Sequence, residues 1–536
     1  AGLQNLTELS FAHAITHEIV YGRIGPTLRA HLHLAAAEAL QRHAARLGVE
    51  PDHAALTHHY ELAGTPGRGP AARESRLAGD DAYRNGAWGR AATHYRTAAR
   101  LAADEPARAE LLVALGRAEL RAGHHAAAAE SLGAAIDLAR VHGLAPTQAR
   151  ATRELVGRAG RGATIGAPDA AHAELLRAAI GALARYRPTS PDDARSAAVA
   201  LSALERELAF VLLLDGDATE RSRLLGDSLA RARAIDPPDH DAVAAAVLGA
   251  RYAKLAPHRL GERLADIDEV LTAPRDEVGY ENVLAASCYR IEDLLRAGCL
   301  DAAGAAIADA ELILRQHPHS YWQWAVRAWQ AVFAVVRGDL DEAEALAYHA
   351  AALRPDVPET SACLAVNLIN IGMYRGHAPQ LVAMLEAGAA AYPNVPAYRA
   401  VLAFCLARTP SPDAQRRAAH ELAAFAATGF TNLPDDTNRF FGLAMLGHAA
   451  ADLGDIVASK ELIELLDPYR GQWVVVMAYG GGGAVWGPAD HALARLADTV
   501  GDSDRARDLY AAAEQQAAGA PHALALIAAD RFAARG

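Results

Sequence analysis

Small and apolar residues recur along this chain with the period of a helix, and the helical pattern is itself repeated at a fixed interval. Gly86 is followed five, nine and twelve residues later by Ala91, Tyr95 and Ala98, and Gly123 by Ala128, Leu132 and Ala135. The same offsets lead from Gly298 to Ala303, Ile307 and Ala310, from Gly338 to Ala343, Ala347 and Ala350, and from Gly501 to Ala506, Tyr510 and Ala513. Weaker copies follow Gly376 and Gly454. Positions five, nine and twelve share one helical face. A glycine that lets the chain leave one helix tightly, followed by a helix with such a small-residue face, predicts an antiparallel helical hairpin. Hairpins with thin faces nest against their neighbours, so the expected fold is all-α, a right-handed solenoid. A degenerate copy is expected between Pro396 and Ala427.

This repeat resembles the tetratricopeptide repeat. Leu115-Gly116 and Leu446-Gly447 match its first-helix signature, and Pro355 and Pro393 stand where copies close. The large aromatic early in the first helix is mostly absent, and the copies ending near Gly216 and Ala256 keep little beyond periodicity.

The N-terminal segment does not follow the interval. FAHAITHEIVYGRIGPTLRAHLHLAAAEAL, starting at Phe11, predicts two helices separated at Gly25-Pro26. Through Phe11, His13, Ala14, Val20, Tyr21, Leu32 and the helix from Ala37 to Leu40, it resembles the end of the winged-helix segment of STAND-class signal-transducing ATPases. Ala55–Gly64, Gly160–Asp169 and Gly471–Gly487 are similar to that family as well. The resemblance implies a sensor array that follows a nucleotide-binding domain and often controls transcription. No GxxxxGK[ST] loop is present. The expected organisation is a winged-helix remnant over 1–62, hairpins over 63–195, and a continuing superhelix over 196–536 with a terminal capping helix. The chain is read as the sensor part of a longer regulator, with a stand-alone relative or adaptor as the alternative.

Composition narrows the function. A net charge of -12 argues against a nucleic-acid surface, which needs a basic stripe. Cys288, Cys299, Cys363 and Cys405 lack metal-ligand spacing and read as buried thiols. The N-terminus has no signal-peptide pattern and no run is long and apolar enough for a membrane helix, so a cytoplasmic protein is expected. His13 and His17 are four apart, but Tyr21 stands where another zinc ligand would be needed, and His58-His59 and His124-His125 point in different directions on their helices. No metal or cofactor is expected.

In such a superhelix the first helix of each hairpin lines the concave wall. Counting from the glycines places Tyr289, Glu292, Arg296, Trp329, Asn367, Asn370, Tyr374, Met445, His448, His491 and Arg495 there. Aromatics flanked by amides and arginine suit an acidic small-molecule effector, a peptide or a protein segment. The other partner implied by the resemblance is an N-terminal ATPase domain. An enzyme using His448, His491, Glu292 or Arg296 as acid–base groups is the rival reading. Trp322 is assigned to packing, and the Gly480–Gly483 run, a weak anion-loop candidate, to a connection into the last full hairpin.

Overall fold

The computed structural model describes residues 14–157, 170–214, 217–355, 357–478 and 480–533. Phe11, His13 and the Gly160–Asp169 stretch lie outside them. Contacts divide the chain into two compact units, Ala1–Arg161 and Gly162–Gly536.

The first unit holds α1 (Ala14–Arg23), α2 (Pro26–Leu47), α3 (His53–Leu62), α4 (Arg68–Arg84), α5 (Trp88–Leu101), α6 (Glu105–Arg121), α7 (His125–Val141) and α8 (Ala145–Val156). The second begins with α9 (Ala170–Arg185), α10 (Pro191–Val211), α11 (Ala218–Arg233), α12 (His240–Ala250) and α13 (Leu260–Thr272). Hairpins follow: α14 (Tyr280–Arg296) with α15 (Leu300–Gln316), α16 (Ser320–Arg337) with α17 (Leu340–Ala352), and α18 (Pro358–Tyr374) with α19 (Ala378–Ala391). The degenerate copy is present as α20 (Ala397–Ala407) and α21 (Pro412–Ala426), before α22 (Arg439–Leu453) and α23 (Ile456–Leu466). After β1 (Trp473–Ala478) and β2 (Gly481–Pro488) come α24 (Ala489–Thr499), α25 (Ser503–Gln516) and α26 (Pro521–Ala533). The fold class is therefore the expected helical-repeat solenoid of tetratricopeptide type.

The interval has a plain local cause. All seven of its glycines, from Gly86 to Gly501, adopt positive φ, the left-handed region where a side chain is strained. At Gly338 the glycine N–H reaches Val335 O at 3.0 Å and the next N–H reaches Ala334 O at 2.9 Å, closing α16. Asp339 then caps α17 by accepting from the Glu342 N–H at 3.1 Å. Gly-Asp thus ends one helix and starts the next within two residues, and the pair recurs at Gly454-Asp455 and Gly501-Asp502.

The predicted small-residue face is buried in every full copy, as at Ala128, Leu132 and Ala135. The middle residue needs a partner without a side chain. A Cβ on Gly116 would stand 2.5 Å from Leu132 Cγ, and one on Gly79 would stand 2.7 Å from the Tyr95 ring. Gly116→Val is accordingly expected to destabilise the α6–α7 hairpin by about 1–3 kcal/mol through overpacking. Hydrogen exchange in α6 and α7 would report it, and unchanged protection would show that the hairpin yields without cost.

Two expectations need correction. Cys299 is exposed, at the start of α15, while the other three thiols are buried. The Gly480–Gly483 run is not a plain connection but part of an antiparallel β-hairpin, with Trp473 opposite Pro488 and Ala478 opposite Gly481. Val474, Val475 and Val476 favour an extended chain, and Gly480, at φ 94°, supports the reversal.

Candidate functional site

The first helices of the hairpins in the second unit do not surround an empty trough. Their inner side holds β1 and β2, whose residues are buried throughout. β2 lies on α16 and α18, and also touches α24, while β1 lies on α14, α18 and α22. The expectation of an open groove is corrected: much of its predicted wall is engaged by the chain's own hairpin.

The glycine run makes this fit possible. A Cβ on Gly482 would be 2.7 Å from Ala328 O and 2.8 Å from Trp329 Cα, and one on Gly481 would be 3.2 Å from Ala328 Cβ. Backbone therefore rests on backbone, over a small-residue stretch of α16. These glycines do not form an open anion loop, because they are buried in β2 against α16, and their carbonyls are taken by α18. The Asn367 amide donates to Gly482 O at 2.8 Å and Gly483 O at 2.6 Å. Asn370 donates to Val485 O at 2.9 Å and accepts from Val485 N–H at 3.2 Å, pairing with both backbone groups as another strand would. The Cys363 thiol, pushed up to about 12 by burial, donates to Gly482 O.

The remaining predicted residues fall into two clusters and one aromatic set. Tyr374 and Phe404 pack on Trp486 of β2, with ring centroids at 4.8 and 5.2 Å, and His448 flanks the same indole at 6.1 Å. Trp329 is fully buried beside Gly482, and Met445 is buried in α22. Trp322 is buried as expected.

Glu292 and Arg296 belong to a buried ionic cluster with Arg251, Arg263 and Asp293. Arg251 donates to Glu292 at 2.9 Å and Asp293 at 3.0 Å, and Arg263 reaches Asp293 at 2.8 Å. Arg296 donates to Glu292 at 3.1 Å and to Val475 O of β1 at 3.0 Å. Burial alone would raise the Glu292 carboxyl, but Arg251, Arg296 and Arg263 together outweigh it and hold it below the usual range. Tyr289 stands under Arg251, whose guanidinium carbon is 4.5 Å from the ring centre.

His448, His491 and Arg495 meet Asp530, a residue the repeat interval does not select. His491 Nε2 is 3.0 Å from Asp530, and the two histidine rings are 4.8 Å apart. One ligand atom from each of His448, His491 and Asp530 would fall within 4.8 Å of the others, a possible metal set. The donors are engaged already: Arg495 lies 3.2 Å from His448 Nδ1 and 3.3 Å from Asp530, and Arg408 lies 3.5 Å from Asp530. Two guanidiniums at those atoms oppose a cation, so the residues do not fit a metal.

This cluster predicts acid sensitivity. Burial, with Arg495 and Arg408 adding to it, lowers both histidines, so the folded chain keeps them neutral while an unfolded chain protonates them near pH 6.5. The unfolded state then binds more protons, and stability present above about pH 6.5 is lost as the pH falls. Asp530, held at about 2 against its burial by His491, Arg495 and Arg408, adds a loss below its ordinary value near 3.8. Asp436, raised to about 6 by burial, works the other way and offsets part of the slope between about pH 4 and 6. Denaturant titrations between about pH 7 and 5 should show falling stability that flattens in His448→Asn/His491→Asn. Equal stability across that range would remove the assignment.

Sequence reasoning missed Arg251, Arg263, Asp293, Cys363 and Asp530. Asp293 follows Glu292 directly, which puts it on a different side of α14 from the one the interval selects. Arg251 lies in a stretch where the repeat pattern has faded.

No family model matches this sequence, and no curated protein matches it. Among solved structures, it is similar to the APC/C hetero-tetramer Cut9–Hcn1, with 12% identity over 85% of this chain and 90% of that one, at a TM-score of 0.37. It is also similar to Naa15/Naa10 bound to HypK-THB, with 13% identity over 83% and 63%, at 0.21. A circular tandem repeat protein with novel repeat topology gives 14% identity over 95% and 100%, at 0.15. At these scores the likeness says nothing about activity or partners.

Proposed function

We propose that this chain is an interaction and sensing module of a larger signal-transducing regulator, of the STAND type that its sequence resembles, and that its buried hairpin acts as an internal ligand. The observation that carries the reading is the clamp of Asn367 and Asn370 on Gly482, Gly483 and Val485. Helices α14, α16, α18, α22 and α24 share this one occupant, so an effector or partner that binds two arrangements of these helices unequally shifts all of them together. Transcriptional control, an attached ATPase and a cytoplasmic setting belong to the same reading. No helix among the described residues is long and apolar enough to cross a membrane, which is compatible with it.

A partner surface is available on the first unit. Leu28, Leu32, Leu40 and Leu47 of α2 are exposed, while only Ala37 and Ala44 of that helix are buried. Such a face suits the preceding domain of a longer protein.

The test starts from the reading frame upstream of Ala1. If it encodes a nucleotide-binding domain, the longer protein should hydrolyse ATP at a rate altered severalfold by Asn367→Ala/Asn370→Ala. Absence of such a domain, or hydrolysis indifferent to the double variant in a folded protein, ends the reading.

A further inference from the structure

The ionic cluster beside β1 does not balance. It draws Arg251 from the turn after α12, Arg263 from α13, and Glu292, Asp293 and Arg296 from α14, and all five side chains are more than nine-tenths buried. Three guanidiniums therefore face two carboxylates. Among the described residues, no other carboxylate forms an ion pair with any of the three.

The hydrogen bonds are also incomplete. Arg251 Nε and Nη1, Arg263 Nε and Arg296 Nε are buried without a partner. A guanidinium stays charged at neutral pH, and a buried charge without a full set of partners is strongly unfavourable. Burial, with Arg251 and Arg296 adding to it against Asp293, pushes Arg263 down to about 10, whereas Arg251, which pairs with both carboxylates, is held above its usual range, so the shortfall of negative charge falls on Arg263. Asp293 Oδ2 is likewise unpartnered and suits a water beside the site.

We propose that this cluster is a binding site for one small monovalent oxyanion, either the carboxylate of a small organic molecule or an inorganic oxyanion, held by the spare donors of Arg251, Arg263 and Arg296. One negative charge makes the group neutral and supplies the acceptors that these donors lack. A planar carboxylate matches a guanidinium edge with two parallel hydrogen bonds. The inference deepens the sensing reading by giving its effector a chemical class, and it rests on that reading only for its biological meaning.

Thermal unfolding of the purified full chain tests it, in buffer whose ionic strength is held by a bulky sulfonate. Formate or nitrate should raise the midpoint saturably by a few degrees. The larger effect of formate would point to an organic carboxylate, and that of nitrate to an inorganic oxyanion. Arg263→Met leaves two charges of each sign and should abolish the rise. A midpoint that follows ionic strength alone, or an Arg263→Met variant that responds like the parent, overturns the proposal. If that variant does not fold, crystals soaked in bromide decide: anomalous density should lie within about 3.5 Å of the spare Arg251 or Arg263 nitrogens. Its absence there overturns the site. None of these outcomes depends on ATP hydrolysis, so this inference and the sensor reading fail separately.

Discussion

Asp293→Ala should lower the stability of the second unit by about 3–5 kcal/mol, the usual cost of removing one partner from a buried ionic group. Its Oδ1 receives both Arg251 and Arg263, so one deletion strips a counter-charge from two guanidiniums. Asp293→Asn separates charge from shape, since it keeps the volume and a carbonyl acceptor. It should retain part of the hydrogen bonding and still lose much of the stability. Urea denaturation followed by tryptophan fluorescence suits the measurement, because every tryptophan except Trp88 lies in the second unit. A midpoint within error of the parent for Asp293→Ala would mean that the cluster is hydrated and electrostatically slack.

Gly482→Ala is the second large effect. The added methyl would meet Ala328 O at 2.7 Å, Trp329 Cα at 2.8 Å and Ala328 C at 2.9 Å, all atoms of the α16 backbone. No side-chain rotation relieves this, so β2 must lift away from α16. Lifting it strains the Asn367 bonds to Gly482 and Gly483 and loosens Trp486 between Tyr374 and Phe404. The expected cost is about 3 kcal/mol, at the upper end for overpacking. Faster hydrogen exchange along β1 and β2 should accompany it. Gly226→Ala in α11 is the control: its methyl meets nothing within 4 Å, and the change should be neutral or mildly stabilising. Equal loss in both variants would show that glycine itself, rather than the close approach to α16, matters at Gly482.

What was legible follows from the range of the interactions. A helical hairpin is written in residues a dozen apart, such as Gly123, Ala128, Leu132 and Ala135, and local geometry alone requires glycine at the turn and small residues on the face. The same counting points to Asn367, Asn370, Tyr374, Glu292 and Arg296, whose side chains meet the hairpin or the ionic cluster beside it, but it carries no information about what they meet. The hairpin itself was read as a connection. With both faces buried, a strand loses the apolar–polar alternation that marks one, and a glycine run resembles a linker until the helix it rests on is known.

The amino-acid sequence by itself determined the repeating helical unit, the glycine turns and the acidic balance, because each depends on neighbours along the chain or on a sum over it. Only the tertiary structure decided what fills the inner wall and where charge is left over. Those outcomes join Asn370 to Val485, Arg296 to Val475 and Arg251 to Glu292, pairs that the chain separates by many turns of helix and that packing alone brings within hydrogen-bond reach.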